Sequence, residues 1–165
     1  MIITASLVVI MLVLFVLVFL FVRTIDKRKW LTVLVSLVIT PLIYFYLLYP
    51  MINIFTNYHH QKYFSSELWM ENPALRYELS DNMINSGVLK GRSKTEVKNL
   101  LGKPEWLSWN DSLKAHNKDK WNYALGLEPG AFNEQKECIE LSFKNEKLTK
   151  IEQYQEQIKY KDEEQ

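Results

Sequence analysis

The 165-residue chain has little of what marks fibrous, disulfide-bonded or disordered proteins. It contains one cysteine, five glycines and five prolines, and 13% of its residues are aromatic. A disulfide framework needs paired cysteines and collagen needs a glycine at every third position, so both classes are excluded. The aromatic content in turn excludes a wholly disordered chain.

Charge is missing from most of the first third of the chain. No charged residue precedes Arg23, and none occurs between residues 30 and 54. The average composition, 48% hydrophobic and 24% charged with a net charge of +1, is that of an ordinary globular domain. The uneven distribution instead predicts two regions with different solvents, a membrane anchor and a small water-exposed domain.

The two charge-free runs predict a transmembrane helical hairpin at residues 1–57, with helices at about 2–22 and 31–49. A helix of about 20 residues rises about 30 Å, which matches the hydrocarbon core of a bilayer. A cleaved signal peptide is the alternative for the first run, but the run lacks a basic start and a small-residue cleavage site. Pro41 predicts a mild kink in the second helix.

The connection between the two runs predicts the orientation of the hairpin. Residues 23–29 carry four basic side chains and one acidic side chain, a net charge of +3, and the rest of the chain carries −2. Positive charge in a short loop stays on the cytoplasmic side of a membrane. We therefore expect both ends of the hairpin, and the domain that follows it, on the opposite side.

The remainder divides into a stalk at 58–64, a folded domain at 65–156 and a charged tail at 157–165. The pair Asn72-Pro73 is typical of a helix N-terminus and Gly87 of a helix end, which predicts a helix over 73–86. Its buried stripe is expected to contain Leu75, Leu79 and Met83.

A second helix begins at Ser93, because Ser93 and Glu96 have the spacing of a capping box. Gly102 and Pro104 end this helix within three turns. Its core positions are Val97, Leu100 and Leu101.

Period-two alternation then predicts four antiparallel strands in a meander, so the expected fold class is α+β, two helices packed on one sheet. The strands lie near 106–109, 121–125, 139–143 and 148–154, with a tight turn at Asn145-Glu146. The face expected to meet the helices carries Trp121, Tyr123, Leu125, Ile139, Leu141 and Phe143. The other face carries Asn122, Ala124, Cys138, Glu140 and Ser142.

Residues 64–154 resemble the SmpA/OmlA family of BamE-like cell-envelope domains. The resemblance lies in a capped short helix that ends in Leu-Leu-Gly-Lys-Pro, then a Trp-x-Tyr strand, then a strand that ends in phenylalanine. It implies a BamE-like fold of two helices on an antiparallel sheet, a bacterium with two membranes, and a role as an accessory factor in envelope assembly. The matching fold determinants are Ser93, Glu96, Gly102, Pro104, Trp121 and Tyr123.

The chain departs from the founding members of that family, which are lipoproteins of the outer-membrane barrel-assembly machine. It has no lipobox cysteine near its N-terminus and has the predicted hairpin instead. The expected location is therefore the bacterial inner (cytoplasmic) membrane, with the C-terminal domain on the periplasmic side. A stalk of about ten residues reaches at most about 35 Å, so the barrel-assembly role itself transfers poorly.

Residues that could carry chemistry do not form a recognisable catalytic set. His59-His60 has no further ligand at metal spacing, which predicts no metal site. His116, in a hairpin loop at 111–118, could act as a base oriented by Asp111 or Asp119, but no nucleophile lies in a recognisable elbow. We therefore predict no enzyme activity, no cofactor and, because no basic stripe interleaves with aromatics, no nucleic-acid partner.

Three aromatic residues, Trp106, Trp109 and Phe132, form the candidate contact surface. Strand alternation turns one of the two tryptophans outward unless there is a bulge, and exposed aromatics often mark interfaces. The alternative is that they cover the sheet's own edge.

The sequence thus predicts a non-catalytic interaction module whose partners are the lipid bilayer and an unidentified envelope or membrane protein. The alternatives are a membrane-surface enzyme and an inhibitor or sensor domain that uses the 111–136 loops. A pocket that gathers His116, Asp111 and Asp119 would favour the enzyme.

Overall fold

The computed structural model describes residues 1–158, so residues 159–165 of the predicted tail lie outside the described part. The chain divides into two compact units. The hairpin unit comprises Ile2–Tyr58 and Gly130–Phe132, and the sheet unit comprises His59–Pro129 and residues 133–158.

The hairpin unit is built from two long helical stretches that are long and apolar enough to cross a membrane. The first is α1, Ala5–Ile25, whose N-terminus is capped by the side chain of Thr4. The second runs without interruption from Lys29 to Phe55. It consists of α2 (Lys29–Ile43), a π-helical turn (Tyr44–Leu48) and α3 (Tyr49–Phe55).

The second stretch extends six residues beyond the predicted end at Tyr49. Pro50 does not end it, because Pro50 lies in the first turn of α3, where a missing amide is least costly. Pro41 lies inside α2, and the irregularity that follows it is the π-helical turn. There the amide of Tyr44 donates to the carbonyls of both Thr40 and Pro41.

Up to residue 158, the sheet unit contains three short helices and one four-stranded antiparallel sheet with the order β1-β2-β3-β4. The predicted α+β class and the meander are confirmed. The helices are α4 (Ser66–Glu71), α5 (Tyr77–Asn85) and α6 (Lys94–Leu101). The strands are β1 (Trp106–Asn110), β2 (Ala115–Gly126), β3 (Gln135–Lys144) and β4 (Lys147–Gln157).

The prediction of a helix over 73–86 is wrong at its start. Asn72 is the C-cap of α4, a third helix that the sequence analysis did not predict, and α5 begins only at Tyr77. An Asn-Pro pair also suits a helix end, because a residue before proline disfavours the helical conformation. Leu75 consequently leaves the core stripe and forms a β-bridge with Gly126, whereas Leu79 and Met83 are buried.

The predicted stalk segment lies along α5. The backbone amide of Lys62 donates to the carbonyl of Glu78 at 2.7 Å, and that of Phe64 donates to Oδ1 of Asn82 at 2.8 Å. These bonds hold residues 62–64 in the sheet unit.

The predicted start and end of the capped helix and the predicted turn at 145–146 are confirmed. Ser93 and Glu96 form both bonds of the capping box, and Gly102 follows the last residue of α6. Asn145 and Glu146 both have positive φ, +50° and +62°, the geometry of a two-residue hairpin turn. Strand β2, however, begins at Ala115, so it takes up half of the predicted loop at 111–118.

The core lies between the helices and one face of the sheet. Of the six side chains predicted to face the helices, five are buried and Trp121 packs against them. Arg76 is also buried there, where its guanidinium lies 4.9 Å from the ring of Trp69. It donates to the carbonyl oxygens of Trp69 and Ala124 and pairs with Glu105, so this buried charge has an acidic partner.

Candidate functional site on the open face of the sheet

The face of the sheet that points away from the core forms a groove of about 580 Å³. Cross-strand partners share a face, so the register Trp106↔Asn122 and Asn122↔Glu140 places these three side chains together. Tyr154 joins them from β4, opposite Cys138. We call this surface the open face.

Both candidate tryptophans line the open face, at a place where the pairing of β1 with β2 is irregular. The β1–β2 register shifts between Leu107 and Trp109, so that Trp109 lies opposite His116 while Trp106 lies opposite Asn122. In this interval β1 has one residue, Ser108, and β2 has four, residues 117–120, so the extra residues lie in β2. Regular alternation is therefore interrupted between the two tryptophans, and Trp109 is 54% exposed.

The floor of the groove is a chain of hydrogen bonds that crosses all four strands. Tyr154 Oη donates to Oδ1 of Asn122 at 2.9 Å, and Nδ2 of Asn122 donates to Oγ of Ser108 at 2.8 Å. Ser108 Oγ in turn donates to Oε2 of Glu140, whose Oε1 accepts from Lys120 Nζ at 2.6 Å. A satisfied network of this kind holds the floor rigid and leaves the aromatic rims as the adaptable part.

The acidic side chains of the open face are each paired with a lysine. Glu140 pairs with Lys120 at 2.6 Å, and the two pairs on the outer strand are Lys150–Glu152 at 2.6 Å and Lys136–Glu156 at 3.4 Å. Burial favours the neutral form of Glu140, but the hydrogen bonds from Lys120 and Ser108 outweigh it and lower its pKa. The groove is therefore close to electrically neutral.

Trp106 is held more tightly than Trp109. The ammonium of Lys136 lies 5.0 Å from the ring centroid of Trp106, a cation–π contact, and the ring is half-buried. Trp109 contacts the ring of His116 edge-on at 5.2 Å and leaves half of its surface open. Trp109 is therefore the more available anchor of the two.

Cys138 lies beneath this face as a buried thiol. Burial, aided by the charge of Glu156, raises the pKa of Cys138 to about 11. The sulfur is thus protonated at neutral pH and is a poor nucleophile.

The polar residues predicted as an alternative catalytic set have separate partners. His116 Nδ1 lies 3.2 Å from the carbonyl oxygen of Leu107, while Asp119 pairs with Lys94 at 2.6 Å. Asp111 lies 4.0 Å from Lys114. None of these contacts joins two of the three residues, and none of the three lines the groove. Within residues 1–158 no cluster of three histidine, cysteine or acidic side chains suits a metal ion.

The structure brings Trp106 and Trp109 together but does not add Phe132 to them. Phe132 belongs to the segment Gly130–Phe132 of the hairpin unit and is 81% exposed. In that unit the amide of Ala131 donates to the backbone carbonyl of Asn53 at 3.0 Å. Ser108 and Tyr154 were not predicted as site residues, because their place in the groove depends on how β1 and β4 pair with the neighbouring strands.

Fold and site together describe a small α+β unit with an aromatic-rimmed open face, joined in one chain to two apolar helices. No protein-family description, no curated protein and no solved structure matches this chain. The resemblance to the SmpA/OmlA family therefore stays a prediction from the residues that carry it.

Proposed function

We propose that the protein is a membrane-anchored, non-catalytic interaction module of the bacterial cell envelope, and that the open face of its sheet binds another envelope or membrane protein. The observation that carries this proposal is the pair Trp106 and Trp109 at the rim of a neutral groove with a rigid floor. Tryptophan is among the residues that contribute most to protein interfaces.

The groove suits a protein surface because its own polar groups are already satisfied. Asn122 uses both its amide oxygen and its amide nitrogen within the network, and Glu140 accepts bonds on both carboxylate oxygens. A bound partner therefore leaves the hydrogen bonds of the floor intact, and the binding free energy comes mainly from covering Trp109. Truncating such a buried interface aromatic typically costs about 2 kcal/mol, a loss of about thirtyfold in affinity.

The anchor supports the membrane part of the proposal, and the SmpA/OmlA resemblance supports a BamE-like role as an accessory factor in envelope assembly. The proposed orientation has the 23–29 connection in the cytoplasm and the sheet unit in the periplasm. Alkaline phosphatase fused after Gln165 is then active, and a fusion at Asp26 is inactive. The reverse pattern would sink the orientation.

Site-specific photo-crosslinking in intact membranes tests the binding face. A photoreactive phenylalanine derivative at Trp109 is compared with the same group at Tyr63, which is 67% exposed in the sheet unit and lies off the groove lining. We expect a discrete crosslinked protein from position 109 that is absent from position 63. Equal products at the two positions, or none from either, would refute the open face as the contact surface.

The variant Trp109→Ala completes this test. It is expected to keep the unfolding transition of the parent protein and to lose the partner that position 109 crosslinks. Tyr63→Ala serves as the control and should retain that partner. A Trp109→Ala protein that unfolds would instead mean that Trp109 belongs to the core.

A further inference from the structure

The hairpin unit has a second groove, of about 500 Å³, between α1 and α2. Its walls are apolar, with Leu17, Val18, Phe21, Val22 and Ile25 from α1. The α2 wall is Leu31, Val35, Ile39 and Ile43, and Asp26 lies at the end of the groove next to the connection.

The groove arises from two adjacent rows of side chains on α2. Thr32, Ser36 and Thr40 form one row that is buried in the hairpin unit, and each hydroxyl donates to the carbonyl four residues earlier at 2.7 to 3.0 Å. Such small, self-satisfied residues let helices approach closely. The neighbouring row, which begins at Leu31, is only half-buried, and the open space beside this row is the groove.

The end of this groove carries positive charge. Asp26 is neutralised by Arg28, whose Nη2 lies 2.8 Å from Oδ2 of the carboxylate. Within the described chain, Arg23, Lys27 and Lys29 take part in no ion pair. The helix α2 also begins at Lys29 without a side-chain cap, so its first amides add to the attraction for an anion.

The dimensions of the groove match one lipid chain. From Leu31 to Ile43 the helix rises about 18 Å, slightly more than the roughly 15 Å of one leaflet of a hydrocarbon core. A third helix is about 10 Å across with its side chains, whereas this furrow lies between two helices in close contact. An acyl chain fits such a narrow space better.

We propose that the groove between α1 and α2 binds one acyl chain of an anionic phospholipid, with the lipid phosphate at Arg23, Lys27 and Lys29. This site goes beyond the proposed function and does not involve the open face. It requires only that the hairpin is inserted in a bilayer.

Trp30 offers a built-in reporter, since it is next to Leu31 in the chain and is exposed. The full-length protein is reconstituted in symmetric phosphatidylcholine vesicles that contain either brominated phosphatidylglycerol or brominated phosphatidylcholine. Bromine quenches nearby tryptophan, and a Trp30→Phe variant supplies the background of the other four tryptophans. Symmetric vesicles make the result independent of orientation.

We expect the anionic lipid to quench Trp30 at a lower mole fraction than the zwitterionic lipid. Replacing each of Arg23, Lys27 and Lys29 by Gln should lower this preference about fivefold per cation, which corresponds to about 1 kcal/mol each. The charge-conserving variant Arg23→Lys should retain it.

A substitution that fills the groove distinguishes a lipid-binding site from simple attraction of anionic lipid to a charged surface. Ile39→Phe should lower the preference for the anionic lipid, whereas Val38→Phe, at an exposed position beside it, should leave the preference unchanged. Equal quenching by the two lipids in the parent protein would overturn the proposal. A preference for the anionic lipid that persists in Ile39→Phe would also overturn it. The same holds if a second copy of the protein crosslinks through the groove and blocks the quenching.

Discussion

The two units of this protein differ in the side chains that they bury and expose. In the hairpin unit large apolar side chains such as Phe21 are exposed, while Thr32, Ser36 and Thr40 are buried. In the sheet unit Trp69 and its apolar neighbours are buried, as in a water-soluble domain. This difference is the one expected between helices in a bilayer and a domain in water, because apolar side chains gain nothing by leaving lipid but gain free energy by leaving water.

The comparison predicts that one type of substitution has different effects in the two units. Removing a buried apolar side chain from the sheet unit forfeits hydrophobic free energy and leaves a cavity. Removing the buried hydroxyl of Ser36 from the hairpin unit forfeits only a bond within one helix. The following predictions test that contrast in the full-length protein in mild detergent.

The largest effect is expected for Trp69→Ala. Trp69 is fully buried, contacts the rings of Phe64 and Tyr123 and lies beneath the guanidinium of Arg76. Its removal should lower the free energy of unfolding by about 3 to 5 kcal/mol. Urea unfolding followed by tryptophan fluorescence measures this, with exposed Tyr63→Ala as the control that should change by less than about 0.5 kcal/mol.

The next largest loss of stability is expected at Gly126, where both the backbone conformation and the lack of space disfavour a side chain. Gly126 has φ +102°, and a Cβ there would lie 2.1 Å from the carbonyl oxygen of Ala74. Gly126→Ala should therefore cost about 3 kcal/mol, from backbone strain together with a clash against main chain. Gly87 also has positive φ, +67°, but open space around it.

Gly87→Ala is thus the matched control, and it should cost only about 1 kcal/mol. The same urea titration compares the two variants. Equal costs would mean that the Ala74 contact is not rigid.

A smaller effect is expected at the capping box of α6. Ser93→Ala removes the side-chain acceptor for the amide of Glu96 and should destabilise the sheet unit by about 1 kcal/mol. Thr95→Ala, at an exposed position in the same turn, should have little effect. If the two variants unfolded at the same urea concentration, the cap would contribute nothing to stability.

The smallest effect is expected in the hairpin unit. Ser36→Ala removes a hydroxyl bonded to Thr32 of the same helix and should change hairpin stability by about 0.6 kcal/mol or less. Ser36→Leu should be worse, because it separates the helices. Unfolding in mixed micelles with rising dodecyl sulfate measures both variants. A large loss of stability for Ser36→Ala would contradict the predicted difference between the two units.

Local signals in the sequence were sufficient for much of the architecture. The capping box, the turn at Asn145-Glu146 and the strand alternation are short-range features, and the structure confirms each. The Asn72-Pro73 signal failed because the same pair can begin a helix or follow one. That choice depended on Ser65, which caps α4 seven residues earlier.

The candidate site was accessible to sequence reasoning only in part. Alternation assigned Asn122 and Glu140 to the open face, and the two tryptophans were recognised as candidates. Their arrangement could not be predicted, since it depends on the extra residues of β2 that lie opposite Ser108. A one-residue shift reverses the face of every later side chain in a strand, so alternation cannot resolve it.

The sequence by itself determined which segments are apolar and free of charge, where the capped helix begins and which strand residues face the helices, because these follow from composition, period and backbone preference. Only the tertiary structure decided that both tryptophans share one face, that residues 62–64 lie along α5, and that a hydrogen-bond chain crosses the four strands. Each of these depends on pairing between residues far apart in the chain, where register and packing outweigh local preference.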